Sequence, residues 1–415
     1  MRILYVVPYV PNLIRTRPYN LIRHLAKLHD VTVVTAWTDR KELEAVRALR
    51  LICTVRAAQL TRRQSLTNTL RHLPTKIPLQ AYYCWSPAVA GRIDELVKEG
   101  EQFDAVHVEH LRGVPYALHW LKLAQRHSTM RHVPLIWDSV DCISYLFRQA
   151  SEQGVGGFGR FVTRFDLHRT ERFEGQMVRQ LDHTVVTSRL DKEALIELAG
   201  PDSEPRISVV PNGVDLDYFM PDQTVAREPR TVVVTGKMSY HANIAMVTAL
   251  IEQVMPHVWA HHANVRVQIV GKEPPSQIQA YASMYPNVEV TGAVDDLRPY
   301  LQKATVAVAP VQYGAGIQNK VLEAMACGTP TVASEKAVAA IDIEPWRDLL
   351  VGGNSAEIGV HINALLDDAA FAQKIGRAGR VYVERNHNWF GAAAQLARIY
   401  QQVGAQKREE RKIEL

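Results

Sequence analysis

Lys320 and Glu323 stand three residues apart in PVQYGAGIQNKVLEAMACGTPTVAS, residues 310–334, a spacing that puts both on one face of a helix. A cation so placed can hold phosphate oxygens, while the carboxylate one turn on accepts hydrogen bonds from vicinal hydroxyls such as those of a ribose. A strand is expected to end at Val311, Gly314 and Gly316 let the backbone turn tightly, and a helix begins near Ile317. Free N–H groups and the positive end of that helix make a natural seat for a diphosphate. The same residues also fit a plain strand–helix–strand unit whose Lys320 and Glu323 pair on the surface, and the spacing alone leaves both readings open.

Other chemistry-bearing residues gather at expected strand ends. AVHVEH (105–110) closes with Glu109 and His110, and LIWDSVDCISYLF (135–147) places Asp138 and Asp141 just after the next strand. Asp138 in that position either holds an acceptor hydroxyl or caps the following helix. The first loop, PYVPNLIRTRPYN (8–20), carries Arg15 and Arg17 and no glycine. These arginines suit a phosphate of a donor or of a lipid-diphosphate acceptor, and equally suit an inert exposed loop. Residues 60–73 set Leu60, Leu66, Leu70 and Leu73 among Arg62, Arg63 and Arg71, with Lys76 beyond. That pattern fits either an anionic lipid surface or a helix whose leucines pack on a sheet. Asp215 and Asp217 read as turn carboxylates, and no metal is expected.

The elements that must position these groups are short β-branched runs alternating with amphipathic helices. Strands are expected at 3–10, 31–36, 105–110, 135–140, 183–188 and 207–211, then at 231–236, 265–271, 288–292, 306–311 and 331–334. Several are continuous apolar runs, as parallel strands covered on both faces require. Alternation across 415 residues gives an α/β protein of two doubly wound, Rossmann-like domains with a cleft between facing strand ends. The expected domains are 1–205 and 206–390, with 391–415 a helix returning to the first.

Composition narrows the class. Hydrophobic residues are 47% and charged residues 22% of the chain, ordinary globular values. Cys53, Cys84, Cys142 and Cys327 form no C-x-x-C pair, against a disulfide scaffold or a thiolate zinc site. The start is not a signal peptide, since Pro8 and Pro11 break a short apolar run, and no apolar stretch is long enough to span a bilayer. Residues 1–190 hold 27 Lys and Arg against 17 Asp and Glu, while the rest hold 21 against 26. A basic half suits phosphates, but no nucleic-acid-binding module is present, and no G-x-G-x-x-G follows a strand to seat a nicotinamide dinucleotide.

The 310–334 segment resembles the E-x7-E region of the retaining nucleotide-sugar glycosyltransferases of GT-B fold, family four. TGKMSYHAN (235–243), VEVTGAVDDLRPYLQKATVAVAPV (288–311), VVPNGVDLDYFMP (209–221) and the opening MRILYVVPYVP follow the same family in order. The likeness covers most of the chain and is greatest to bacterial sugar transferases of exopolysaccharide synthesis. It implies transfer of a sugar from a nucleotide donor, with retention at the anomeric carbon, to a glycan or lipid-linked acceptor. Glu323 matches the second motif glutamate, which binds the ribose. The first falls at 315, where this chain has Ala315, so Gly314, Ala315, Gly316 and Ile317 would offer backbone N–H groups instead. Lys237, beside Gly236, matches the basic residue that faces the diphosphate. The family's second lysine is absent, and Lys320, next to Asn319, would replace its charge.

By the same likeness Gly271, Val294 and Asp295 would lie around the base, and His110 near the sugar and acceptor. Arg15, Arg17 and Asp138 complete the acceptor-side set. Lysines stand in for a metal in such a site, so no cofactor is implied, and nucleic acid is not an expected partner. The expected place is the cytoplasm, with peripheral contact at the inner face of the membrane. Alternatives are a non-catalytic nucleotide-sugar-binding scaffold of the same fold, which Ala315 keeps open, and a GT-B nucleotide-sugar epimerase.

Overall fold

The computed structural model describes residues 1–152, 157–222, 224–313 and 316–414. The chain divides into two compact units, one of Met1–Pro211 with Trp389–Leu415, the other of Asn212–Asn388.

The first unit holds a seven-stranded parallel sheet. Its strands are β1 (Arg2–Val7), β2 (Asp30–Trp37), β3 (Thr54–Gln59), β4 (Ala105–Glu109), β5 (Leu135–Val140), β6 (His183–Val186) and β7 (Ile207–Val209), in the order β3-β2-β1-β4-β5-β6-β7. The continuous apolar run of β1 is explained by cover on both faces: Leu4 and Val6 enter one core, and Ile3, Tyr5 and Val7 the other. That second core is closed by the Trp389–Glu414 helix through Leu396, Ile399 and Tyr400. β7 pairs with β6 through Thr184–Ile207 and Val186–Val209, so the first unit extends past residue 205 to Pro211. The three-residue strand saturates the edge of β6, which holds residues 206–211 to the first sheet.

The second unit holds six parallel strands, β8 (Thr231–Thr235), β9 (Arg266–Val270), β10 (Val288–Gly292), β11 (Val306–Ala309), β12 (Thr331–Ser334) and β13 (Leu350–Gly352), ordered β10-β9-β8-β11-β12-β13. Two strands lie outside the sequence expectation, β3 and β13, both at sheet edges. β3 interleaves Arg56 and Gln59 with small residues, and β13 spans three residues, so neither makes a long apolar run.

Each sheet reverses its strand order once, between β1 and β4 in the first unit and between β8 and β11 in the second. In doubly wound sheets the crevice beyond the carboxyl ends at this reversal is where ligands bind. The β1 and β4 exits lead to Pro8 and His110, and the β8 and β11 exits to Gly236 and Pro310.

Candidate active site

In the second unit, the exits of β9, β8 and β11 lie side by side. Gly236 and Gly271 have φ of +157° and +152°, and a Cβ on Gly271 would stand 1.7 Å from the Gly236 carbonyl oxygen. Only glycine permits this approach. The Gly236 N–H donates to Val270 O (3.1 Å) and the Met238 N–H to Lys272 O (2.9 Å), while Asn243 Nδ2 donates to Lys237 O (2.9 Å). The turn that carries Lys237 is therefore fixed by backbone.

Lys237 Nζ lies 3.1 Å from Glu273 Oε2, and Glu273 also accepts from Ser239 Oγ at 2.7 Å. These hydrogen bonds, Ser239 first, hold the Glu273 carboxyl below its usual range. His241 opens the His241–Ala249 helix and meets Tyr313 Oη through Nδ1 at 2.9 Å, their rings stacked. Sequence reasoning missed Glu273, Ser239 and Tyr313. Glu273 and Ser239 lie in the loops after β9 and β8, and Tyr313 directly precedes Gly314 in sequence, which was the available signal.

The Asn319–Ala326 helix follows β11 and has no side-chain cap from Gln318. Lys320 lines a small void with Thr235, Ala309 and Ala324, which puts it against the ends of β8 and β11. Its Nζ donates to Gln318 Oε1 at 3.0 Å rather than to Glu323, so the surface pair of the alternative reading is not formed. Burial lowers Lys320 to about 8 against the pull of Glu323. Burial raises Glu323 to about 7 against the pull of Lys320. Among the described residues no group donates a hydrogen bond to the Glu323 carboxylate, which leaves it able to accept from a ligand.

Of the remaining expected donor residues, Gly316 adopts φ +73°, Ile317 packs on the core and Asn319 is exposed. Gly314 and Ala315 lie outside the described residues. Val294 packs on a small core cluster and Asp295 is exposed. Its neighbour Asp296 binds Arg298 at 2.7 Å and accepts from Tyr218 Oη at 3.0 Å, and Arg298 lies over the Tyr218 ring. Asp215 forms the expected turn, accepting from the N–H groups of Asp217 and Tyr218.

In the first unit, His110 leaves β4 with φ +64°. Its own N–H donates to Asp138 O (2.6 Å), and its Nδ1 accepts from the Arg112 N–H (3.2 Å). Burial, with the Arg112 charge, lowers its pKa to about 3. The ring is neutral near pH 7, with the proton on Nε2, so it presents a hydrogen-bond donor. Beneath it Glu109, buried, accepts from Tyr5 Oη (3.1 Å) and Tyr9 Oη (3.0 Å). Burial, with Asp138 nearby, raises Glu109 above the carboxylate range. The sequence placed Glu109 at a strand end but gave no partner for it.

Three acceptor-side expectations change. Arg17 is not an open-loop phosphate ligand: it lies in the Thr16–Leu25 helix, 4% exposed, and binds Asp138, 0% exposed. Asp138 neither caps a helix nor faces solvent, because it is the last-but-two residue of β5 and is engaged by Arg17. The following Ile143–Glu152 helix is instead capped by Glu174, which accepts from the N–H groups of Ile143 (2.8 Å) and Ser144 (3.1 Å). Arg15 is partly exposed but lies 2.8 Å from Glu42 and stacks over Tyr9.

The profile of glycosyl transferases group 1 matches residues 229–368, and that of glycosyltransferase family 4 matches residues 14–218. The chain has the GT-B fold of the group 1 and family 4 glycosyltransferases. A sucrose-phosphate synthase from Thermosynechococcus elongatus shares this GT-B fold with a TM-score of 0.64 at 18% identity, over 98% of this chain and 100% of that one. Anabaena HepE, solved in complex with UDP, superposes with a TM-score of 0.66 at 14% identity, over 97% of this chain and 100% of that one. In sequence, a phosphatidyl-myo-inositol mannosyltransferase of Mycobacterium leprae is 28% identical over 234 residues, 53% of this GT-B chain and 59% of the relative. A glycogen synthase of Mycobacterium tuberculosis is 26% identical over 246 residues, 55% and 56% of the two chains. The chain thus spans less than two thirds of the curated relatives it matches.

Proposed function

We propose that this protein is a retaining glycosyltransferase that moves a hexosyl group from a nucleotide-diphosphate sugar to a glycan or lipid-linked acceptor. Its place is bacterial surface polysaccharide or glycolipid synthesis, at the inner face of the cytoplasmic membrane. The bond from the anomeric carbon to the diphosphate oxygen breaks, its electron pair leaving with the diphosphate. A bond forms from the anomeric carbon to the oxygen of an acceptor hydroxyl, whose proton is taken up by the departing diphosphate. Lys237, Lys320 and the N-terminus of the Asn319–Ala326 helix stabilise the leaving charge, more in the transition state than in the ground state. They make a metal unnecessary as counter-charge. His110 donates Nε2–H to a sugar or acceptor hydroxyl.

Glu323 carries this reading. A half-buried carboxylate that accepts no hydrogen bond among the described residues, one turn from a half-buried lysine at the strand reversal, fits the two hydroxyls of a ribose. The UDP-bound neighbour supports the donor class. The test is a thermal-shift panel of UDP, GDP, ADP and CDP with their sugars, on wild type and Glu323→Ala. A ligand at 100 times its Kd adds ~2.7 kcal/mol. One diphosphate should stabilise the wild type alone, and stabilisation by none would sink the reading. Ala315 in place of the first motif glutamate favours a second reading, a nucleotide-sugar-binding scaffold. Donor binding without turnover on any acceptor extract would select it.

A further inference from the structure

The Arg62–His72 helix is turned inside out. Its buried residues are the polar Ser65 and Asn68, while Leu66, Leu70 and the following Leu73 are 61%, 68% and 47% exposed. The polar side is the one fastened to the unit: Asn68 Nδ2 donates to Trp85 O at 2.7 Å, and the His72 ring stacks on Tyr82 at 4.2 Å. Spacings of four and three put the three leucines on one outward face. A water-facing helix normally shows the reverse pattern, so among the described residues nothing covers these leucines.

Charge selects the partner. Arg62, Arg63, Arg71 and Lys76 are all exposed, and none forms an ion pair among the described residues. Residues 45–93 contain eight Lys and Arg and no Asp or Glu. On the inward side of the helix, Tyr82 and Trp85 line a groove of about 620 Å³ with Leu118, Leu121, Met130 and Val133. Apolar side chains at helical spacing, flanked by cations, match the layers of a lipid interface.

We propose that the Arg62–His72 helix is a docking surface for an anionic lipid bilayer, with Leu66, Leu70 and Leu73 entering the acyl region and Arg62, Arg63, Arg71 and Lys76 at the phosphate level. This deepens the proposed function by naming the surface that would bring the enzyme to a lipid-linked acceptor, but it stands on residues remote from Glu323 and Lys237 in the sequence.

The test is co-flotation of the full chain with vesicles of phosphatidylcholine alone or with 30% phosphatidylglycerol. The wild type should float with the anionic vesicles and stay behind with the neutral ones, losing binding in high salt. Arg62→Glu/Arg63→Glu should weaken partitioning at least ~30-fold, since each basic residue lost at the surface removes about fivefold. Leu66→Asp/Leu70→Asp should abolish it. Both variants should keep the wild-type melting temperature and nucleotide-induced shift, which separates this inference from the donor-site reading. Failure of the wild type to float, equal binding to neutral vesicles, or flotation unchanged in the variants overturns the proposal. A leucine-dependent dimer by light scattering would overturn it in favour of a second copy.

Discussion

Arg17 and Asp138, 121 positions apart in sequence, meet in the buried floor of the first unit, with Nε at 2.9 Å and Nη2 at 2.8 Å from the same Oδ2. The other carboxylate oxygen accepts the Val140 N–H at 3.0 Å, and Arg17 Nη1 donates to Val210 O at 3.0 Å. One guanidinium thus joins the first helix to the end of β5 and to the chain leaving β7. Removing one partner leaves an uncompensated buried charge. Arg17→Ala or Asp138→Ala should therefore destabilise the first unit by roughly 3–5 kcal/mol, while Arg17→Met with Asp138→Leu costs less than either. Urea melts followed by a first-unit tryptophan would show this, and equal costs for all three would refute it.

Donor binding should have a narrow pH optimum. Glu323 accepts ribose hydroxyls best when ionised, above about 7, and Lys320 holds phosphate only while protonated, below about 8. The donor KM should rise on both sides of this window. Glu323→Gln should remove the acid limb and Lys320→Arg the alkaline one, each read from KM against pH.

His110 contributes no titration there, because its ring is already neutral above about 3. His110→Phe should lower kcat by roughly 10²-fold, as for loss of one preorganised donor. Nucleotide affinity should stay at the wild-type value, since that site belongs to the second unit. A matching fall in UDP or GDP affinity would count against the assigned role.

Glu174 makes the first unit less stable as pH rises. Burial raises its folded pKa from 4.5 to about 7, so the neutral form is favoured in the fold. Its contribution is whole below about 4.5 and is lost as pH climbs through about 7, at most roughly 3 kcal/mol. Glu174→Gln should flatten this slope in thermal melts between pH 4.5 and 8. A slope unchanged by the substitution would place its origin elsewhere.

Turnover should survive EDTA unchanged if Lys237 and Lys320 supply the counter-charge, and Lys237→Ala should lower kcat more than it raises donor KM. Metal-dependent turnover would overturn that assignment.

Much of this fold was legible because its strands are long apolar runs, and the donor-side residues because helix spacing fixes Lys320 relative to Glu323. What stayed hidden depended on contacts between distant segments. Arg17 reads as a loop cation until Asp138 is placed beneath it. Glu273 reads as an exposed acid until the Gly236–Gly271 approach brings it to Lys237. Leu66, Leu70 and Leu73 form a periodic strip whichever way they face, and only the placement of Ser65 and Asn68 decides it. Strand β3 was missed because Arg56 and the exposed Gln59 interrupt its apolar run, and β13 because it spans only three residues.

The Trp389–Glu414 helix gives the protein an order of assembly. Tyr400 Oη reaches His107 Nδ1 at 2.8 Å inside the first sheet, and Leu396 and Ile399 cover the same face as Ile3 and Tyr5. During synthesis, Ile3, Tyr5 and Val7 wait for a cover that is translated after the whole second unit. Asn212–Asn388 can close its own core meanwhile. The nascent first unit must therefore carry an unsealed apolar face until the helix that follows the second unit has been made, and this is the interval in which a chaperone has something to hold.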